Sequence, residues 1–147
     1  MEKLVYLLGD TDVGTIPRAR SDLRDTLLEA APELKSAGVR EASFTVADLD
    51  DAAADRTPQF NASGLLDAQV SLWLDSLDAR KPIETILSSV AARFAAYLVT
   101  ESVPLPAPNP SPRVGTRRPG VCLVTTFPKP DRLDEDTFYA RWHGSHT

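Results

Sequence analysis

Apolar and polar positions at the start of the chain alternate in a way that predicts one strand and one helix. The continuous apolar run Leu4–Leu8 ends at a Gly-Asp pair, which is typical of a buried strand. After a polar loop, leucines and alanines recur every three or four residues, which predicts a helix with Ser21 as its N-cap and Gly38 at its end. We expect Pro32 to interrupt or kink this helix.

The middle of the chain predicts two more strands separated by a long loop. Apolar residues alternate with polar ones within residues 39–47 and again from Ala68 to Leu74, where Trp73 faces the other side. Residues 48–64 between them are polar and acidic, which favours a functional or mobile loop.

A second helix and a fourth strand complete the first unit. Pro82 suits the first position of a helix whose apolar stripe runs from Ile83 to Phe94, and residues 97–103 read as a strand. The order strand, helix, strand, strand, helix, strand predicts an α+β fold with a ferredoxin-like four-stranded antiparallel sheet and both helices on one face. The other face of such a sheet needs a cover, which predicts a homo-oligomer.

Prolines at every second position mark the end of this unit. They predict an extended linker over residues 104–119, with an SH3-type ligand as the alternative, and they are Pro104, Pro106, Pro108, Pro110 and Pro112. The apolar run Val121–Phe127 then predicts a strand, and a helix follows it. We therefore divide the chain into a ferredoxin-like unit at 1–103, the linker, and the opening strand and helix of a second, incomplete unit at 120–147.

Composition and charge narrow the classes of function. The 147 residues are 42% apolar and carry a formal net charge of -5, so a nucleic-acid partner is not expected. The one cysteine, Cys122, lies in an apolar run and is interpreted as a buried structural thiol. The apolar run near the N-terminus is too short for a signal peptide or a membrane span, so we expect no membrane partner and a cytoplasmic location.

The last fifteen residues carry the candidate chemistry. Phe138, Trp142 and His146 are spaced four apart, so they share one helix face if the helix continues past Gly144. An imidazole beside an apolar cavity is a candidate acid or base, although a structural hydrogen bond at a helix end is the alternative. His143 is a second candidate or a cap for helix carbonyls. The two histidines have the spacing of a metal pair, but no further ligand is indicated, so no metal site is predicted.

This segment resembles the signature of the EthD family of the dimeric α/β-barrel superfamily. The resemblance rests on an acidic helix start at Asp134 or Asp136, followed by Phe138, Trp142 and His146. It implies a barrel of two ferredoxin-like sheets facing each other, with a pocket between sheet and helices. Members of the family include cofactor-free polyketide cyclases, small monooxygenases, lactone isomerases and proteins of unknown role.

Two classes of function remain open after the sequence analysis. The first is an enzyme, a cofactor-independent oxidoreductase, isomerase or cyclase, that binds a small aromatic or polyketide-like molecule in an apolar pocket. His146 would move a proton, Trp142 and Phe138 would line the pocket, and Tyr139 would orient a polar group, although packing in a core is the simplest role for the first two aromatics. The second is a small-molecule binding or oligomerisation module without turnover.

Overall fold

The computed structural model describes residues 1–9, 20–47, 66–101, 113–118, 122, 124 and 128–145. Its elements in chain order are β1 (Glu2–Gly9), α1 (Arg20–Ser36), β2 (Glu41–Val46), β3 (Ala68–Leu74), a 3-10 turn (Leu77–Ala79), α2 (Arg80–Val90), β4 (Arg93–Val99) and α3 (Glu135–Ser145). The predicted loop at 48–64 lies outside the described residues.

The four strands form one antiparallel sheet in the order β2-β3-β1-β4. This order confirms the predicted α+β class and antiparallel sheet, and it is consistent with a ferredoxin-like fold. In the centre of the sheet, Tyr6 of β1 lies opposite Val70 of β3 and Ala96 of β4. Because side chains alternate along a strand, the even-numbered residues of β1 all face the same side.

The core lies between that face and the two helices α1 and α2. Helix α1 contributes leucines, α2 contributes Ile83, Leu87 and Val90, and the sheet contributes the alternating apolar residues of β1 and β3. Tyr6 is fully buried there, and its ring meets Phe94 edge to face with centroids 5.7 Å apart. The sequence periodicities therefore identify the faces that become the core.

Helix α1 ends where the glycine predicts and is not interrupted by its proline. Gly38 has φ +102°, and the Val39 amide donates to the Leu34 carbonyl at 3.1 Å, which closes the C-terminus of the helix. The helix begins at Arg20, so Ser21 lies inside it and is not the N-cap. The expectation of an interruption at Pro32 was wrong, because one helix continues past it to Ser36, while a kink there stays a prediction. Pro32 is exposed, so the helix carbonyl that loses its hydrogen-bond donor to the proline lies on the solvent side.

The boundary between α2 and β4 differs from the prediction. Helix α2 begins at Arg80, which makes Pro82 its third residue, still in the first turn, where no intrahelical donor is lost. Phe94 follows Val90 at helical spacing, but it belongs to β4, opposite Leu8. Ala91 is extended and turns the chain back to the sheet, so the strand begins four residues before the predicted start at Tyr97.

The structure describes only parts of the predicted linker and second unit. Residues 113–118 are exposed and include a turn at Gly115 with φ +79°. Cys122 and Val124 are the described residues of the predicted strand at 121–127, and neither lies in a strand. Cys122 is exposed, so its interpretation as a buried thiol was wrong.

Within the described ranges, no helix combines the length and the apolar character that crossing a membrane requires.

Candidate functional site

The predicted site residues lie on helix α3, which begins with an aspartate cap. The Thr137 amide donates to Asp134 Oδ1 at 2.7 Å, and the Thr137 hydroxyl donates to Asp134 Oδ2 at 2.8 Å. The bond from the Thr137 amide, with that from its hydroxyl, lowers the pKa of Asp134. Of the two aspartates that the sequence offered as caps, Asp134 fills this role, and Asp136 lies in the first turn.

Helix α3 continues through Gly144 to Ser145, so Gly144 does not end it. Phe138 and Trp142 stack one turn apart, with ring centroids 6.5 Å apart and planes inclined by 20°. Tyr139 and His143 form a parallel row on the neighbouring side, with centroids 6.2 Å apart. The Phe138 and Tyr139 rings meet edge to face at 5.4 Å and join the two rows. We call Phe138, Tyr139, Trp142 and His143 the α3 aromatic surface.

The α3 aromatic surface is accessible to solvent. Tyr139 is 55% exposed and Trp142 is 37% exposed, while Phe138 is half-buried and His143 is exposed. No described residue of α3 is buried, so the structure does not show the core packing that is the simplest role for Phe138 and Trp142. Their two rings cover one another along the helix.

His146, the first candidate for acid–base chemistry, lies outside the described residues. The helix reaches the residue directly before it. Within the described ranges, no group of three or more histidine, cysteine or acidic side chains is arranged to hold a metal ion. The role of His146 therefore stays a prediction.

A second cluster, which we call the sheet-end cluster, lies on the sheet face opposite the helices. Its members are Lys3 of β1, Trp73 of β3 and Glu101 just after β4. Lys3 and Trp73 lie opposite each other in the strand register, and the Lys3 Nζ is 4.5 Å from the centre of the indole ring. Glu101 accepts one bond on each oxygen, from Lys3 Nζ at 2.7 Å and from Trp73 Nε1 at 3.0 Å.

These contacts govern the charge state of Glu101. The bond from Lys3, followed by the bond from Trp73, lowers the pKa of Glu101 below its ordinary value. An open depression of about 570 Å³ borders the cluster, lined by residues 1–3, Trp73 and residues 98–101. A polar ligand in the depression would compete with these contacts or use the acceptor sites that they leave on Glu101.

Sequence reasoning placed Trp73 on the outer face of its strand but did not find its partners. Lys3 and Glu101 are 98 positions apart, and only the register of three strands brings them together. One local signal existed: alternation places Lys3 on the same side of β1 as Val5 and Leu7, so a charge there needs a partner on that face.

Comparison with protein-family models and with curated proteins finds no match for this chain.

Proposed function

We propose that the chain binds small planar aromatic molecules on the α3 aromatic surface. The observation that carries the proposal is the pair of ring rows on α3, Phe138 with Trp142 and Tyr139 with His143. Three of these four side chains, Tyr139, Trp142 and His143, are exposed. Aromatic rings that remain accessible to water gain by stacking on an apolar ligand, and a phenol and an imidazole beside them supply polar contacts that orient it.

The spacing of the rings determines how such a ligand would bind. A ring needs about 3.5 Å of separation from each neighbour. The 6.5 Å between the Phe138 and Trp142 centroids is therefore too short to admit a third ring. The ligand would stack on the exposed part of Trp142, which is 37% exposed, and meet the phenol of Tyr139 at its edge.

The resemblance to the EthD family extends this proposal to catalysis. In that reading the ligand is an aromatic or polyketide-like molecule, and His146 exchanges a proton with it, with His143 as the second candidate. The helical path of α3 supports this reading as far as Ser145, because it keeps Phe138 and Trp142 on one face toward the position of His146. The alternatives are a binding module without turnover and an oligomerisation module.

Tryptophan fluorescence tests the binding step, because the chain has two tryptophans. The Trp73→Phe variant leaves Trp142 as the single indole reporter. A panel of hydroxylated two- and three-ring aromatics should quench its emission and change its wavelength in a saturable way. Trp142→Ala, assayed by calorimetry, should weaken affinity roughly five- to tenfold.

A matched control distinguishes binding at the α3 aromatic surface from nonspecific binding to exposed aromatic side chains. Tyr97 on the sheet is exposed to a similar degree as Tyr139, 51% against 55%. Tyr97→Ala should leave affinity unchanged, while Tyr139→Ala lowers it. Equal losses in the two variants, or no saturable binder in the panel, would remove the proposal.

The histidine variants distinguish an enzyme from a carrier. If a bound compound is converted, His146→Ala should lower turnover at least about a hundredfold while affinity stays within a few-fold. Binding without conversion of any compound in the panel supports the carrier, and the same substitution then changes affinity alone.

A further inference from the structure

Strand β4 forms one edge of the sheet, and its only strand neighbour within the described residues is β1. Its seven residues contain no proline and one charge, Arg93. Tyr97 is 51% exposed and Leu98 is 57% exposed, and the two side chains point to opposite faces. An edge strand that exposes large apolar side chains on both faces is a ready template for another strand.

The sequence of this edge is complementary to itself in charge. Arg93 and Glu101 each lie four residues from Tyr97, on opposite sides of it. In an antiparallel pair of two β4 strands centred on Tyr97, Arg93 of each copy lies directly opposite Glu101 of the other. Opposite charges at directly opposed positions stabilise a strand pair.

The same register is complementary in size. Ala95 lies opposite Val99 on one face, and Ala96 lies opposite Leu98 on the other, so each larger side chain meets an alanine. At the centre the two Tyr97 rings meet, and pairs of aromatic residues are favourable in this position. All of these pairs join residues of the same face, so the helices of both copies lie on one side of a continuous sheet of twice four strands.

The neighbouring symmetric registers lose this complementarity. Centring the pair on Ala96 puts Arg93 opposite Val99, and centring it on Leu98 puts Glu101 opposite Ala95. Only the Tyr97 register brings the two opposite charges together. Glu101 is able to take part because each of its oxygens accepts one bond within the chain, and a carboxylate offers about four lone-pair sites.

We infer that the protein forms a homodimer in which β4 pairs with β4 of a second copy. The two strands are antiparallel, and Tyr97 lies on the two-fold axis. This inference is independent of ligand binding at α3, since it uses no residue of that helix. It also differs from the arrangement that the resemblance to the EthD family implies, in which two sheets face each other.

Cysteine cross-linking tests the register in a Cys122→Ser background. At the axis, the two Cβ atoms of Tyr97→Cys are about 5 Å apart, close to the separation in a disulfide. The matched control is Leu98→Cys, which is exposed to a similar degree but lies diagonally across the pair, with Cβ atoms about 7 Å apart, too far for a disulfide. Mild oxidation should cross-link the Tyr97→Cys variant efficiently and the Leu98→Cys variant much less. Equal cross-linking of the two would overturn the inference.

Charge reversal tests the pairing of Arg93 with Glu101. In sedimentation equilibrium from micromolar to submillimolar protein, Arg93→Glu should weaken dimerisation roughly tenfold, while Arg93→Lys retains it. The double variant Arg93→Glu/Glu101→Arg should restore the dimer, with circular dichroism as the check on folding. A protein that is monomeric throughout, or a dimer indifferent to Arg93→Glu, contradicts the inference whether or not the double variant folds.

Discussion

The hydroxyl of Tyr6 is a polar group inside an otherwise apolar core. The side chain is 0% exposed, and the hydroxyl makes no hydrogen bond of ordinary length within the described part of the chain, although the Glu84 carboxylate lies near enough to act on it. Burial, together with the negative charge of Glu84, raises the pKa of Tyr6 to about 12. A buried donor without a partner costs free energy relative to its hydrated state in the unfolded chain.

We predict that Tyr6→Phe keeps or raises the free energy of unfolding, by up to about 1–2 kcal/mol, because it removes an unpartnered hydroxyl and keeps the ring. Since the folded pKa lies above the unfolded value of 10.0, the wild type should lose stability as pH rises from there to about 12. Urea unfolding near neutral pH and midway between the two pKa values checks both effects. A variant that is less stable at neutral pH, or that shows the same alkaline loss, would contradict this account.

Glu101 is a second residue whose charge state affects stability, because its bonds from Lys3 and Trp73 lower its pKa. Its contribution to stability is present above the ordinary pKa of 4.5 and is lost as pH falls through the lower folded value. In a Trp142→Phe background, the emission of Trp73 should report this titration with a midpoint below 4.5. Glu101→Gln should abolish the transition; its persistence in that variant would assign it to another group.

At the scale of elements, α3 begins with a local cap at Asp134. Its described residues include no buried one. The bonds from Thr137 to Asp134 and the stacking of Phe138 on Trp142 are contacts within the helix that stabilise it.

We predict that Asp134→Ala reduces the helicity of residues 135–145 and speeds their amide exchange, because two bonds to the cap are lost. Asp136→Ala is the matched control: it removes an acidic residue from the same turn without removing the cap. Hydrogen exchange by mass spectrometry measures both variants. Equal effects would mean that charge near the helix start, and not the cap, stabilises α3.

The type of each element in the first unit was predictable, but several boundaries were not. Leu4–Leu8 and the alternation in β3 read directly as strands because burial imposes their period. Phe94 was misassigned because its spacing from Val90 fits a helix equally well, and only its pairing with Leu8 makes it part of a strand. Pro32 was misjudged because its effect depends on which side of the helix it occupies.

For the whole molecule, the core cluster joins β1, β3, α1 and α2 and does not include α3. We predict that Leu27→Ala, at a fully buried position of α1, lowers the free energy of unfolding by about 2–5 kcal/mol. Trp142→Ala should lower it by about 1 kcal/mol or less, because the indole is 37% exposed and outside the core. Urea unfolding followed by far-ultraviolet circular dichroism compares them; similar losses would place Trp142 in the cooperative unit.

The α3 aromatic surface and the sheet-end cluster differ in whether their contacts join residues close together in the sequence. The contact of Phe138 with Trp142 was predictable because both lie within one short helix, where spacing fixes which side chains meet, but the row of Tyr139 and His143 beside it was not predicted. The sheet-end cluster was not, because Lys3, Trp73 and Glu101 meet only through the register of strands far apart in sequence. The same limit applies to oligomers, because contacts between two copies of a chain leave no pattern of spacing along its sequence.

The position of β1 between β3 and β4 has a consequence for the chain as it leaves the ribosome. Both partners of β1 are made after it, the nearer beginning at Ala68. At ordinary rates of translation, roughly 3–12 s separate the synthesis of Gly9 from that of Ala68. During this interval the apolar run Leu4–Leu8 has no sheet to join, and α1 is the first element able to cover it. The apolar run of β1 in the nascent chain therefore stays exposed until α1 or the later strands cover it.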